Sequence, residues 1–142
     1  MQNPYTTWSS ALEVGNILID SQHQEIITAV NNLFYAHQQH KGRFEVESTM
    51  TFLINYTFNH FEEEEELQMR YNYPDHLNHK QIHTDFKNKA KHLRDILLTN
   101  GPTDEMICEI CHTIGKWIVN HIKVEDVKLV AHIKSVDQAI LS

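Results

Sequence analysis

Apolar residues recur along this chain at intervals of three and four, the repeat that gathers side chains on one face of an α-helix. Ile26, Ile27, Val30, Leu33 and Phe34 follow it, and with Asp20 as N-cap they predict a first helix from about Ser21 to His37. Lys41-Gly42-Arg43 breaks that pattern. Val46, Met50, Leu53, Tyr56, Thr57 and Leu67 form the stripe of a second helix, about Phe44 to Tyr71, which Tyr73-Pro74 ends. Ile82, Phe86, Ala90, Leu93 and Leu97 define a third, and Asn100-Gly101-Pro102 terminates it. Thr103 or Asp104 can cap a fourth, with Ile107, Ile110, Ile114, Trp117 and Ile118 facing inward, and a last short helix runs from roughly Asp126 to Ala139. Residues 1–19 carry Pro4 and Gly15 and read as an extended arm over the core, anchored by Trp8, Leu12, Val14 and Ile17.

Four amphipathic helices with short connections predict an all-α, up-down-up-down four-helix bundle. The N-terminal extended arm and the short C-terminal helix complete one domain over residues 1–142. Four glycines and three prolines are few, which favours long regular elements over a many-turned β-fold. A net charge of -7 leaves no basic patch to neutralise phosphates, so nucleic acid is excluded as a partner. No apolar run reaches the ~18 residues of a membrane span, and the N-terminus shows no signal segment. Two cysteines, Cys108 and Cys111, make no disulfide framework, so the expected setting is the reducing cytoplasm, away from membranes.

Eleven histidines change the picture. His23, His60, His79, His83 and His121 lie on the apolar stripes of their own helices, and each of the four helices supplies at least one. His60/Glu64 and His79/His83 are spaced four apart, so each pair projects towards one point. One histidine on an apolar face is ordinarily a satisfied core residue. Five of them with Glu64 would bury many polar groups, each costing ~1–3 kcal/mol if unpaired, and a metal centre becomes the cheaper arrangement. Asp126 follows His121 by five residues, which is not a same-face spacing, so the fourth helix must end or bend there. Glu125, at the four-residue spacing, is the competing carboxylate.

Taken together, Trp8, Val14-Gly15, Ile19-Asp20 with His23, His60-Phe61 with Glu64-Glu65, Tyr73-Pro74 with His79 and His83, and Trp117 with His121 and Asp126 stand in a characteristic order and spacing. In these motifs the chain resembles the hemerythrin family, and its single-domain bacteriohemerythrins in particular. The resemblance implies two non-haem iron ions. His79, His83 and His121 would hold one, coordinatively saturated; His23 and His60 would hold the other. Glu64 and Asp126 would bridge them beside a solvent-derived oxo or hydroxo group, leaving an open position for dioxygen on the His60 side. Trp117 and Val124 would line the dioxygen pocket. Gln68 stands where many relatives carry Met. The remaining histidines, among them His76 and His132, fall outside the motif and are expected at the surface.

The implied function is reversible dioxygen binding, as carrier, store or scavenger, by a protein that is not an enzyme. A sensor module is the alternative; it would need a separate protein partner for its output. A di-iron peroxidase or iron-handling protein is a third class. A ferritin-like site is rejected, because it needs two Glu-x-x-His motifs and only Glu109/His112 is present. Cys108-Glu-Ile-Cys111-His112 formally matches a c-type haem attachment pattern. It sits within a helical stripe and reads as chance spacing, with a redox dithiol as the other option.

Overall fold

The computed structural model describes residues 6–141, and among them helices are the regular structure throughout. Helix α1 spans Ile17–Gln38, starting earlier than the apolar repeat predicts. Asn16 is its N-cap, the side chain accepting from the Ile19 N–H at 3.1 Å. Asp20 does not cap the helix. Its carboxylate reaches back to accept from the Val14 N–H at 2.8 Å and the Gly15 N–H at 3.2 Å, tying the arm to the first turn. Gly15 has φ +90, a conformation L side chains rarely adopt, and there the arm turns into the helix.

Trp8, Leu12 and Val14 pack on the core, with a short 3-10 turn at Ser10–Leu12. Ile17, expected as a fourth anchor, is 91% exposed. The earlier helix start accounts for this: it places Ile17 in the first turn, on the outer face. Pro4 lies outside the described residues.

Helices α2 (Arg43–Arg70), α3 (His76–Asn100) and α4 (Asp104–His121) follow. Thr103 caps α4 by accepting from the Met106 N–H at 3.1 Å. α1 packs on α2 and α4, and α3 packs on α2 and α4, so helices consecutive in sequence are neighbours in space. That is the up-down-up-down bundle. Leu33, Met50, Leu53, Leu97, Ile107 and Ile110 are almost wholly buried and fill the end where α1 passes into α2 and α3 into α4. Each such side chain contributes about 1.5–3 kcal/mol. An apolar end of this kind offsets the cost of a polar interior at the other.

The chain does not stop at His121. A π-helical turn, Ile122–Asp126, leads directly into α5, Val127–Leu141, with the Val127 N–H bonded to the Ile122 carbonyl. Leu129 and Ile133 of α5 pack with Tyr73 at the α2–α3 turn. No helix of the described residues is long and apolar enough to cross a membrane.

Candidate metal centre

Opposite the apolar end, where α2 passes into α3, the bundle interior turns polar. His23, His60, Glu64, His79, His83, His121 and Asp126 are each at most 2% exposed. Helical spacing explains how most of them arrive there. Residues four apart share a face, which aligns His60 with Glu64 and His79 with His83. Asp126 arrives by another route. In a regular α-helix the fifth residue onward points away, and the π turn, which closes i to i+5, brings it back beneath His121. The bend expected between His121 and Asp126 is this turn, and Asp126, not Glu125, is the carboxylate delivered to the cluster.

These side chains form two overlapping sets. One is Glu64, His79, His83, His121 and Asp126; the other is His23, His60, Glu64 and Asp126. Within each set, one ligand atom per residue lies within 4.8 Å of all the others. Both carboxylates divide their oxygens between the sets. Glu64 Oε1 is 2.9 Å from His79 Nε2 and 3.3 Å from His83 Nε2, while Oε2 is 3.1 Å from His60 Nε2. Asp126 Oδ1 is 3.2 Å from both His79 Nε2 and His121 Nε2, while Oδ2 is 2.9 Å from His23 Nε2.

The contacts are too crowded to satisfy one another as hydrogen bonds. His121 Nε2 lies 3.1 Å from His79 Nε2 and 3.0 Å from His83 Nε2, three ring nitrogens converging on one point. His23 Nε2, His60 Nε2 and all four carboxylate oxygens are buried without a well-aligned hydrogen-bond partner. Two nitrogens about 2.1 Å from a common metal and at right angles to each other sit about 3.0 Å apart. The donor set therefore fits two cations, one per set, with Glu64 and Asp126 shared.

Electrostatics agree. Burial presses His79 and His121 towards the neutral form, but Asp126 and Glu64 outweigh it, raising His79 to about 10 and His121 to about 9. Burial presses Glu64 upward, and the surrounding imidazoles of His121, His60, His79 and His83 outweigh it and hold the carboxyl well below the ordinary carboxylate range. Burial and the Glu64 charge likewise raise Asp126, and His121 and His23 override them. Without a cation, protons on imidazole fill the place of the missing positive charge.

Further side chains support the site: Phe61 and Glu65 from the motifs already noted, and Gln22 from outside them. His60 Nδ1 is 2.6 Å from Gln22 Oε1, and His83 Nδ1 is 2.9 Å from Glu65 Oε2. Each outer contact fixes a ring so that Nε2 faces inward. Phe61 lies flat on His83, with centroids 3.9 Å apart, and edge-on to Trp117. Gln68 is wholly buried and its Oε1 lies 2.9 Å from His76 Nδ1; His132 Nε2 donates to the Tyr71 carbonyl. His76 and His132 are thus half-buried, not surface residues, because α5 folds back over the α2–α3 turn.

The two residues expected to line a dioxygen pocket are set apart. Trp117 stacks on His121 with centroids 4.4 Å apart, on the three-histidine side. Val124 is 43% exposed, and the wholly buried apolar residue of the turn is Ile122. A π turn takes more residues per revolution than an α turn, so the third residue after His121 rotates outward. Cys111 is buried with its thiol pushed up to about 12, by burial first and then by Cys108, and neither cysteine forms a disulfide. A thiol so enclosed is no attachment point for haem.

A four-helix bundle with a buried histidine–carboxylate cluster suited to holding metal is the class defined by this fold and site. Residues 14–133 match the family model "Hemerythrin HHE cation binding domain". The chain belongs to the hemerythrin family. It is 31% identical over 119 residues to a bacteriohemerythrin of Stenotrophomonas maltophilia, covering 84% of this chain and 75% of that one. It is 28% identical over 125 residues to a myohemerythrin of Theromyzon tessulatum, covering 88% and 90%. A crystal structure of wild-type hemerythrin superposes with a TM-score of 0.74 at 26% identity, covering 86% of this chain and 92% of that one.

Proposed function

We propose that this protein binds dioxygen reversibly at two non-haem irons, as a carrier, store or scavenger, without turning over a substrate. One observation carries the reading: two shared carboxylates stand between a three-histidine set and a two-histidine set. The first position has five protein donors and the second has four. With any shared solvent bridge between them, the position of His23 and His60 is the one left open to an exogenous ligand. An iron pair, when bound, supplies the two electrons that hold dioxygen and takes them back on release.

The chain's own residues do the rest. Imidazole suits iron, and two anionic ligands against the four charges of two ferrous ions leave a centre mild enough to bury. So few carboxylates stabilise high-valent iron poorly, which favours binding over oxidase chemistry. Phe61 and Trp117 pack apolar surface over His83 and His121 and keep bulk water from the three-histidine side. Cysteines left as thiols fit a reducing cytoplasm.

The test combines metal analysis with the visible spectrum of the reduced protein before oxygen, after oxygen, and after its removal. Two irons per chain, with a charge-transfer band that grows and fades, is the expected result. One zinc per chain and no band would overturn the proposal, as would irreversible oxidation coupled to turnover of an added substrate.

A further inference from the structure

His60 and His83 belong to opposite metal positions, and the acceptors behind them differ in charge. His83 Nδ1 faces a carboxylate oxygen of Glu65, whereas His60 Nδ1 faces the amide oxygen of Gln22 at 2.6 Å. Each contact requires an Nδ1–H donor, which leaves Nε2 with its lone pair directed at the cluster. An anionic acceptor draws on that proton and pushes electron density through the ring to the metal; a neutral amide does so far less. Gln22 cannot swap its ends. Its Nε2 donates to Glu63 Oε2, so a flipped amide would set its oxygen against a carboxylate and its NH2 against the His60 N–H. Gln22 also directly precedes His23, so it stands beside both histidines of the four-donor position.

We infer that Gln22 is a positioning residue that holds His60 in its Nδ1–H form through a neutral acceptor, making the two-histidine metal the more electron-poor and more easily reduced of the pair. The inference rests on the two-metal reading above. Its consequence is that the metal at the open position resists irreversible oxidation, while the Glu65-supported metal is the more electron-rich.

Combining Gln22→Glu with Glu63→Gln tests this, because it reverses the polarity of the clasp and leaves the net charge of the chain unchanged. The double variant is expected to keep two irons and to show an oxidised-to-reduced ratio about tenfold higher at a fixed potential, a midpoint about 59 mV lower for a one-electron step. In a calorimetric titration of the metal-free protein with Co(II), Gln22→Leu is expected to weaken one of the two ions by about 10- to 100-fold. An unchanged midpoint in a double variant with two irons and parental helicity overturns the inference. So does a Gln22→Leu variant that binds both ions like the parent. A parent that takes up fewer than two ions per chain fails the two-metal reading itself, and the inference with it; failure confined to the variants leaves that reading standing.

Discussion

Removing the metal should make the stability of this protein depend on pH in a direction opposite to that of most acidic domains near neutrality. In the metal-free centre His79 is raised from 6.5 to about 10 by Asp126 and Glu64, against the effect of burial. Because the folded value lies above the unfolded one, the stabilisation is fully present below 6.5 and is lost as pH rises towards about 10. Between those limits the folded chain holds a proton that the unfolded chain has released. Each pH unit then removes about 1.4 kcal/mol, roughly 5 kcal/mol over the whole window for His79 alone. That is a large part of the 5–15 kcal/mol typical of a domain. His121 is raised by the same two carboxylates and acts in the same direction. On the acid side Glu64 and Asp126, held low, lose their contribution as pH falls through their folded values.

The assay is urea unfolding of chelator-treated and metal-loaded protein at pH 6.5, 8 and 9.5. With a urea slope of about 2 kcal/mol/M, the metal-free midpoint should fall by roughly 2 M across that range. The loaded protein should not follow it, because cations take the place of the protons, and loading at pH 8 should release protons into a weak buffer. His79→Gln should flatten the metal-free slope. A metal-free midpoint that is level or rises from pH 6.5 to 9.5 would refute the reasoning, since the buried carboxylates would then not be holding protons on the imidazoles.

Two further outcomes follow from packing. Phe61 is wholly buried and stacked on His83, so Phe61→Ala should cost about 3–5 kcal/mol in thermal unfolding and speed metal loss to a chelator. Parental stability would mean that the ring is not part of the support. Cys108 is exposed and Cys111 buried, so a thiol reagent should titrate one cysteine in the folded protein and two in denaturant.

Most of the helical framework was legible in the chain because its causes are local. A repeat of three and four decides which face of a helix is apolar, and five histidines with Glu64 stand on those faces whatever the helices pack against. Breaks at Gly42, Pro74 and Gly101 follow from backbone constraints that act within one or two residues. The order of motifs was likewise enough to mark the seven residues that converge.

What periodicity leaves open is axial register and rotation between helices, and there the tertiary structure decided. Only the packing of α1 against α2 brings Gln22 to His60, residues 38 apart in sequence with no local signal linking them. Only the π turn, a departure from the repeat itself, carries Asp126 inward, turns Val124 out and buries Ile122. Asp20 has the residue type of an N-cap, but the structure gives that place to Asn16 and turns the Asp20 carboxylate back to the arm. The division of each carboxylate between two histidine sets depends on the separation of four helices, a distance that no single stretch of sequence contains.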